Sequence, residues 1–359
     1  MSLNSASTPR IAALLTWLST LSNTPTLANT LEPASSDASF RRYFRIQASD
    51  QNKTYIIMDA PPDKENILPF INAAAIFHDA QVSVPQILAS NIEQGFLLLS
   101  DFGNTTYLQQ LTQQDSLQKN DILHIIPKNK DVAHLLYQDA LHALIDFQCL
   151  GVTTTLPKYD RSLLLQELML FPEWFLKQHH HITLSEIQFA ELNAVFEIIL
   201  ANNLSQATVL VHRDYHSRNL MFITSGNPGI LDFQDAVCGP ITYDLVSLLR
   251  DAYIEWEEED VLDWTIRYWE KAKRHGLPVN PDIDLFYKDF ELMGLQRHLK
   301  VLGIFARLYH RDGKEGYLKD LPLVLKYVQK TARRYKELAP LVRLLEPISE
   351  QTQKVGYTF

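Results

Sequence analysis

The sequence is poor in cysteine and has no hydrophobic run long enough to cross a membrane. Its two cysteines, Cys149 and Cys238, both lie in apolar surroundings, so we expect free thiols in a reducing compartment rather than a disulfide. The amino-terminal residues are polar where a secretory signal would need an apolar centre. Together these absences predict a cytoplasmic protein without a membrane-spanning segment.

An excess of positive charge is also absent. The chain has 33 Lys and Arg against 42 Asp and Glu, a formal net charge of -9. A nucleic-acid-binding surface is therefore not expected as the main function, and a cationic or neutral small-molecule partner suits the chain better than a polyanion. A length of 359 residues suffices for two domains. No motif in the sequence indicates an oligomeric state.

The pattern of apolar residues changes near Ser100, from short strands to long helices. Before that point, helices are predicted at 9–21 and 65–80, with short strands between and after them. After it, apolar residues recur at spacings of three and four, which is typical of amphipathic helices. The pattern predicts an α+β protein with a small antiparallel-sheet lobe and a larger, mainly helical lobe. Helices of the second part are predicted at 132–147, 163–178, 185–201, 243–254, 261–275, 285–309 and 321–338.

The most specific chemical signal begins at His212. His212-Arg213-Asp214, followed five positions after the aspartate by Asn219, is the catalytic-loop pattern of kinases. Asp232 comes thirteen residues after Asn219 and closes an apolar run, where kinases carry a metal-binding aspartate. Two carboxylates and an amide at this spacing suit phosphoryl transfer from Mg-ATP, since Mg²⁺ prefers oxygen ligands. An ordinary polar loop between two core strands is the alternative interpretation.

Around Asp214, Asn219 and Asp232 the sequence resembles the aminoglycoside phosphotransferase family, small-molecule relatives of the protein kinases. The resemblance continues through Gly-Pro and Tyr-Asp-Leu at 239–245. It is closest to the anomeric amino-sugar kinases, which phosphorylate N-acetylmuramate and N-acetylglucosamine. The strings that carry it are Ser-Asp-Ala-Ser-Phe-Arg-Arg-Tyr-Phe (36–44), Met-Asp-Ala-Pro-Pro (58–62), Leu-Phe-Pro-Glu-Trp (170–174) and Phe-Gln-Asp-Ala-Val (233–237).

The resemblance implies a two-lobed protein-kinase-like fold that uses ATP and Mg²⁺. A nucleotide-binding lobe is expected at 1–100, and a helical lobe with the catalytic loop and the acceptor site at 101–359. Asp214 would accept or orient the proton of the acceptor hydroxyl, while Asn219 and Asp232 would bind the metal. The residues expected to support the loop are His212, Asp244 as its buried partner, and Asp235, which would reach a second metal or cap the helix at 243.

The nucleotide lobe departs from the usual kinase pattern in two places. The segment from Ser36 to Ser39 occupies the position of a glycine-rich phosphate loop but contains no glycine; small residues and hydroxyls there would still allow backbone N–H groups to approach phosphate. The third strand, where kinases carry a phosphate-binding lysine, has Met58 instead. The backbone around Leu99 and Asp101 resembles the hinge that binds adenine.

Another cation must therefore neutralise the phosphates. Arg42 and Arg45 are the preferred candidates, with a solvated strand face as the alternative interpretation for both. Lys53 and Lys64 are further candidates, and Glu65 is a possible acidic partner of the cation. On the neighbouring strand, Arg42 is predicted to share a face with Phe44 and Ile46.

Candidate acceptor residues come from one predicted helix and from the catalytic loop. Glu167 and Trp174 lie two turns apart on that helix, where a carboxylate can bind sugar hydroxyls and an indole can stack on a pyranose. Glu173 is offset from them, and a solvated helix face is the alternative. In the loop, His216 and Arg218 are candidates for contacts to the acceptor or to the transferred phosphate.

Other functions remain open at this stage. The acceptor can be another small alcohol, such as an aminoglycoside, choline or homoserine. The missing strand lysine also permits a nucleotide-binding pseudokinase that regulates a partner, although the complete set of Asp214, Asn219 and Asp232 argues against it. A protein kinase is disfavoured because no Ala-Pro-Glu string follows Asp232.

Overall fold

The computed structural model describes residues 9–36, 40–50, 53–112, 130–151 and 155–355. The chain divides into two compact units: Met1–Thr105 with Met221–Asp235, and Thr106–Leu220 with Ala236–Phe359. The division differs from the expected boundary in one respect, because Met221–Asp235 belongs with the first unit rather than with the helical part. A single cut in the sequence cannot represent a chain segment that returns to an earlier unit.

The first unit contains a five-stranded antiparallel sheet. In chain order its strands are β1 (Glu32–Ser36), β2 (Arg42–Gln47), β3 (Thr54–Asp59), β4 (Ile87–Asn91) and β5 (Phe96–Ser100). Their order across the sheet is β1-β2-β3-β5-β4, so consecutive strands mostly lie side by side. β2 and β3 are rich in β-branched and aromatic residues, which favour strands.

One face of this sheet packs on helix α1 (Pro9–Ser19). Phe44, Ile46 and Ile57 lie in the same buried cluster as Trp17 of the helix, while the ring of Trp17 stacks on Phe96 at 5.7 Å. The alternation predicted for Arg42, Phe44 and Ile46 therefore places the two apolar residues in this core. Side chains at the intervening positions of β2 point to the opposite face.

Helix α2 (Leu68–Asp79) begins later than the sequence predicted. Pro69 stands in its first turn, where a missing backbone N–H is tolerated, and the preceding residues form a turn in which Lys64 and Glu65 donate to the carbonyl of Pro61. Its buried residues Phe70 and Phe77 are two turns apart, and both rings contact Phe233. This contact joins the returning segment Met221–Asp235 to the first unit.

The second unit is mainly helical, which confirms the predicted α+β class. Beyond residue 105 the elements follow in the order α3 (Tyr107–Thr112), α4 (Lys130–Cys149), α5 (Arg161–Leu168), a π-helix (Phe171–His179), α6 (Glu186–Ser205), β6 (Thr208–Val211), β7 (Leu220–Met221), β8 (Gly229–Ile230), β9 (Val237–Pro240), α7 (Tyr243–Leu249), α8 (Glu258–Arg274), α9 (Ile283–Asp312), α10 (Leu321–Arg334) and α11 (Ala339–Val355). Strands β6 and β9 pair antiparallel, and β8 lies in the segment that belongs to the first unit.

The helix predicted at 163–178 is in fact two elements, α5 and the π-helix. Pro172 stands in the first turn of the π-helix. Leu170, between the two, lies against Gly303 of α9 so closely that a Cβ on that glycine would be 2.5 Å from the Leu170 backbone. The α-helical face that Glu167 and Trp174 were predicted to share therefore does not exist.

Helix α9 is the longest helix of the described residues, with 30 residues. Asp282 caps its start by accepting the N–H of Asp284 at 2.8 Å, and Gly313 ends it with a left-handed φ of 67°. None of the helices in the described part of the chain is both long and apolar enough to cross a membrane.

Candidate active site

The loop from His212 to Asn219 follows strand β6, whose residues Val209 to Val211 are buried. Asp244, at the start of α7, is fully buried and accepts the backbone N–H groups of His212 at 2.6 Å and Arg213 at 3.0 Å. Burial raises the pKa of Asp244 to about 7, although both hydrogen bonds favour its ionised form. His212 is also buried, and its Nδ1 accepts the N–H of Asp214 at 3.2 Å. Two of the three predicted support residues, His212 and Asp244, thus hold the loop backbone.

Asp214 lies in the same loop with 38% of its side chain exposed. Its Oδ1 lies 3.7 Å from the Nη1 of Arg297. Burial raises the pKa of Asp214, but the positive charges of Lys300 and Arg297 outweigh that effect and hold the pKa well below its usual range. Asp214 is therefore ionised at neutral pH. It is a weak base but a strong hydrogen-bond acceptor, which suits the orientation of a hydroxyl group.

Glu167 lies inside a buried ion cluster rather than on an open surface. Its Oε1 accepts from Arg213 Nη2 at 2.5 Å and is 3.0 Å from Lys300 Nζ, and its Oε2 accepts the hydroxyl of Tyr159. Only 6% of its side chain is exposed. Burial raises its pKa, yet Lys300 and Arg213 outweigh this and lower it. This geometry favours a positioning role over the acceptor contact that the sequence suggested.

Arg297 and Lys300, one turn apart on α9, connect that cluster to the loop. Arg297 donates to the carbonyl of Arg213 at 2.8 Å, and Lys300 donates to the hydroxyl of Tyr243 at 3.0 Å. Sequence reasoning did not assign either residue a place beside Asp214. The available signal was their position in a long helix beside the apolar residues Leu295, Leu299 and Leu302, because buried cations need partners.

His216 and Arg218, the acceptor candidates of the loop, both contact Tyr253. The ring of His216 meets the Tyr253 ring edge-on at 5.4 Å, while the guanidinium of Arg218 lies 3.5 Å from its centre. Arg218 also lies 3.6 Å from Asp320, and burial raises the pKa of Asp320 to about 6. The structure thus brings a cation, an aromatic ring and a carboxylate together next to the catalytic loop.

The other two acceptor candidates lie on the π-helix. Glu173 is exposed and Trp174 is half-buried. The π-helix also carries His179, the first residue of the tract His179-His180-His181. Within the described ranges, no group of three or more His, Cys, Asp or Glu side chains is arranged to hold a metal ion.

In the first unit, the arginines expected to replace the strand lysine are engaged elsewhere. Arg42 binds the buried carboxylate of Asp59, which also accepts from Arg10 Nε at 2.8 Å. Arg45 pairs with Asp101 at 2.5 Å. Burial raises the pKa of Asp101, but hydrogen bonds from Arg45 and Thr54 outweigh it and lower the pKa. The Asp101 side chain therefore fixes the segment after β5 and leaves only its backbone for a hinge contact.

The remaining nucleotide-side candidates are placed by the sheet. Leu99 is buried in β5, opposite Ile56 of β3. Ser36 ends β1, whereas Ser39 lies outside the described residues. Met58 is fully buried in β3 and pairs with Tyr43.

Asp232 has an unusual backbone, with a φ of 63° in the left-handed region. Such a conformation is costly for a residue other than glycine and is often found at functional sites. Its Oδ1 accepts from Gln234 Nε2 at 2.8 Å, and that nitrogen lies 3.4 Å from Asp235 Oδ2. The Nη2 of Arg41 lies 3.8 Å from the same Oδ1. Sequence reasoning missed Arg41, although it stands beside Arg42 in the Phe-Arg-Arg-Tyr string.

Asp232, in the first unit, and Asn219, in the second, each offer the kind of oxygen donor that Mg²⁺ prefers. Asp232 offers carboxylate oxygens with 34% of the side chain exposed. The side-chain nitrogen of Asn219 donates to the Asp214 carbonyl at 3.0 Å, which fixes the orientation of the amide. Mg²⁺ typically takes one or two protein oxygens and completes its shell with water and phosphate oxygens, so a larger cluster is not needed.

Comparisons with known proteins identify the family of this chain. Residues 30–277 match the family described as the phosphotransferase enzyme family. The N-acetylmuramate/N-acetylglucosamine kinase of Neisseria meningitidis serogroup B is 47% identical over 328 residues, which cover 91% of this chain and 93% of that protein. The protein of the same name from Pseudomonas aeruginosa is 46% identical to this chain, and the match covers 89% of each protein.

Solved structures resemble the fold at low sequence identity. The choline kinase LicA of Streptococcus pneumoniae superposes with a TM-score of 0.59 at 12% identity, covering 89% of this chain and 98% of that one. The ADP-bound aminoglycoside phosphotransferase APH(2'')-Ib gives a TM-score of 0.56 at 16% identity, with coverages of 89% and 97%. These likenesses confirm the protein-kinase-like fold.

Proposed function

The chain belongs to the phosphotransferase enzyme family, and we propose that it transfers the γ-phosphoryl group of ATP to the anomeric hydroxyl of N-acetylmuramate and N-acetylglucosamine. The observation that carries this proposal is the 46–47% identity to kinases of that name over about nine tenths of the chain. The ionised Asp214 in a preformed loop supports the phosphotransfer chemistry. The relatives named for ADP, AMP or GDP support a nucleotide as the phosphoryl donor.

In this proposal Asp214 accepts a hydrogen bond from the acceptor hydroxyl and orients its oxygen toward the γ-phosphorus. A bond forms between these two atoms, the bond between the γ-phosphorus and the bridging oxygen breaks, and ADP leaves. The hydroxyl proton passes to Asp214 or to water. Because Arg297 and Lys300 keep Asp214 ionised, its role is orientation in the transition state more than early proton removal.

The metal would be held by Asp232 and Asn219. When bound, Mg²⁺ supplies positive charge that neutralises the phosphate oxygens. On the nucleotide side, the backbone around Leu99 and Asp101 would bind adenine, and the segment from Ser36 to Ser39 would approach the phosphates.

On the acceptor side, Arg218 and Tyr253 offer what an acidic N-acetyl sugar needs. The guanidinium of Arg218, held over the Tyr253 ring, can bind the lactyl carboxylate of N-acetylmuramate. His216, Glu173 and Trp174 are further acceptor candidates in this proposal. A cationic aminoglycoside or choline would instead require an acidic, arginine-free surface.

The test is ADP release by the purified full-length chain with Mg-ATP and a panel of acceptors. We expect turnover with N-acetylmuramate and N-acetylglucosamine, but not with their methyl glycosides, in which the anomeric oxygen is blocked. Phosphorylation there removes the reducing end, so a reducing-sugar assay should show its loss in step with ADP release. Turnover with the methyl glycosides would exclude the anomeric position. Turnover only with choline or an aminoglycoside would replace the sugar proposal.

A further inference from the structure

The position of the missing lysine can be located on a defined face of the sheet. Met58 is directly opposite Tyr43, and directly opposite residues of an antiparallel pair project from the same face. Their neighbours Phe44 and Ile57 are also paired, and these belong to the core with α1. The side chains of Met58 and Tyr43 therefore project away from α1. A cation that replaces the lysine has to act on that side.

Arg42 does not meet this condition. Arg42 is paired with Asp59 across β2 and β3, and it stands two positions before Phe44 on the same strand. Its side chain therefore projects from the α1 face, where it meets the buried Asp59 carboxylate that Arg10 also binds. Moving it to the other face would leave that buried carboxylate with one partner fewer, which is costly.

Arg45 projects from the correct face but at the other end of the strand. It pairs with Ile56, beside Leu99, and its guanidinium binds Asp101 at 2.5 Å and the carbonyl of Gly103 at 2.9 Å. It is thus committed to the segment after β5, the expected adenine end, and not to the end that carries Met58.

Arg41 is the remaining arginine of the string, and it reaches the predicted metal ligand. Its Nη2 lies 3.8 Å from the Oδ1 of Asp232, and 12% of its side chain is exposed. The preceding residue is held in place, because the N–H of Phe40 donates to Glu65 Oε1 at 3.2 Å. A separation of 3.8 Å is within ion-pair range, so the guanidinium stands where an anion bound beside Asp232 would meet it.

We infer that Arg41 supplies the phosphate-binding charge that kinases usually take from the third-strand lysine. This inference rests on the proposed function. Without nucleotide, Arg41 and Asp232 neutralise each other. With Mg-ATP bound, Asp232 would hold the metal and Arg41 would bind the phosphate oxygens. A guanidinium suits this exchange because its planar fork binds phosphate through two parallel hydrogen bonds.

The direct test separates phosphate binding from adenosine binding by calorimetry on the full-length chain. In Arg41→Ala, we expect the affinity for ADP with Mg²⁺ to fall about 10- to 100-fold, the loss of a charged hydrogen-bonding partner, while adenosine binds as to the wild type. Arg41→Lys should lose less. Arg267→Ala removes an exposed arginine from an ion pair on α8 and is the control for charge alone. Unchanged ADP affinity in Arg41→Ala, or an equal loss for adenosine, would overturn the inference.

A second variant tests whether Arg41 replaces the lysine in function. Adding Met58→Lys to Arg41→Ala restores a cation on the same face, and we expect it to recover part of the lost ADP affinity. Because Met58 is fully buried, thermal unfolding must first show that this double variant folds; if it does not, Arg41→Gln and Arg41→Lys alone decide the question. If Arg42→Ala weakens ADP binding and Arg41→Ala does not, the charge comes from Arg42. A wild type that binds ADP but phosphorylates neither sugar would refute the proposed acceptor and leave this test intact.

Discussion

The catalytic loop of the second unit and the arginine string of the first unit use charge in opposite ways. Around the loop, charges are buried and already bound: Glu167 holds Arg213 and Lys300, and Asp244 holds two backbone N–H groups. In the first unit, Arg41, Arg42 and Arg45 each have a carboxylate partner. Of these three ion pairs, the one between Arg41 and Asp232 has the longest N–O distance.

This difference distinguishes a preorganised charge network, around the loop, from an ion pair whose partners can be exchanged, between Arg41 and Asp232. Charges fixed in a buried network need no rearrangement when a substrate arrives, so they can hold the Asp214 side chain in one position at all times. A looser pair between two partly exposed groups can be opened by a ligand that offers better partners to both. The loop is therefore set by the fold, whereas in our proposal the phosphate side is completed only when Mg-ATP binds.

The largest effect is expected from Asp214→Asn, which removes a partly exposed negative charge of the loop and leaves its supports intact. We expect kcat to fall about 10²- to 10⁴-fold, since the amide is a poorer acceptor for the hydroxyl proton, while ADP affinity is unchanged. Steady-state kinetics and calorimetry give the two values. Asp263→Asn, at an exposed position on α8, is the matched control. Near-normal turnover in Asp214→Asn would remove Asp214 from the mechanism.

A smaller but general effect is expected from Glu167→Ala, which breaks the buried network. Leaving Arg213 and Lys300 without their carboxylate should lower the free energy of unfolding by about 3–5 kcal/mol, measured by urea denaturation at pH 7. Activity should fall mainly through kcat, because Arg213 belongs to the loop. Glu173→Ala, on the exposed side of the π-helix, is the control for stability. A rise in the KM for the sugar without loss of stability would instead support the acceptor role that the sequence suggested.

The smallest effect is a pH dependence from His298, the neighbour of Arg297 on α9. Its side chain is buried, its Nε2 is 3.0 Å from the carbonyl of Arg250, and burial lowers its pKa to about 3. The unfolded chain, with an ordinary histidine pKa near 6.5, binds more protons between these two values. Stability should therefore be complete above pH 6.5 and fall as the pH is lowered toward 3, by at most about 1.4 kcal/mol per pH unit from this residue.

His298→Gln should remove this contribution. The difference in unfolding free energy between wild type and variant is expected to be constant above pH 7 and to shrink below pH 6.5. Urea denaturation at pH 7, 6 and 5 measures it, with the exposed His275→Gln as control for the substitution. A difference that stays constant down to pH 5 would show that α9 accommodates a charged imidazole and is less rigid a support than the loop network suggests.

Much of the fold and the centre of the candidate site follow from local sequence patterns. Asp214, Asn219 and Asp232 are recognised because catalytic chemistry requires those residue types at those spacings along one stretch of chain. The faces of β2 follow from its alternation, since the side-chain period of a strand is two. Helix α1 follows from its three- and four-residue spacing.

Only the tertiary structure decided which basic side chain pairs with which carboxylate. In the sequence Arg41 and Arg42 are adjacent and equivalent, yet the pairing of β2 with β3 turns Arg42 toward Asp59 and the returning segment brings Asp232 to Arg41. From the sequence, Glu167 was a candidate for binding the acceptor. In the structure its carboxylate is bound by Arg213 and Lys300, which are distant from it along the chain. Partners so far apart along the chain leave no local pattern, because only folding brings them into contact.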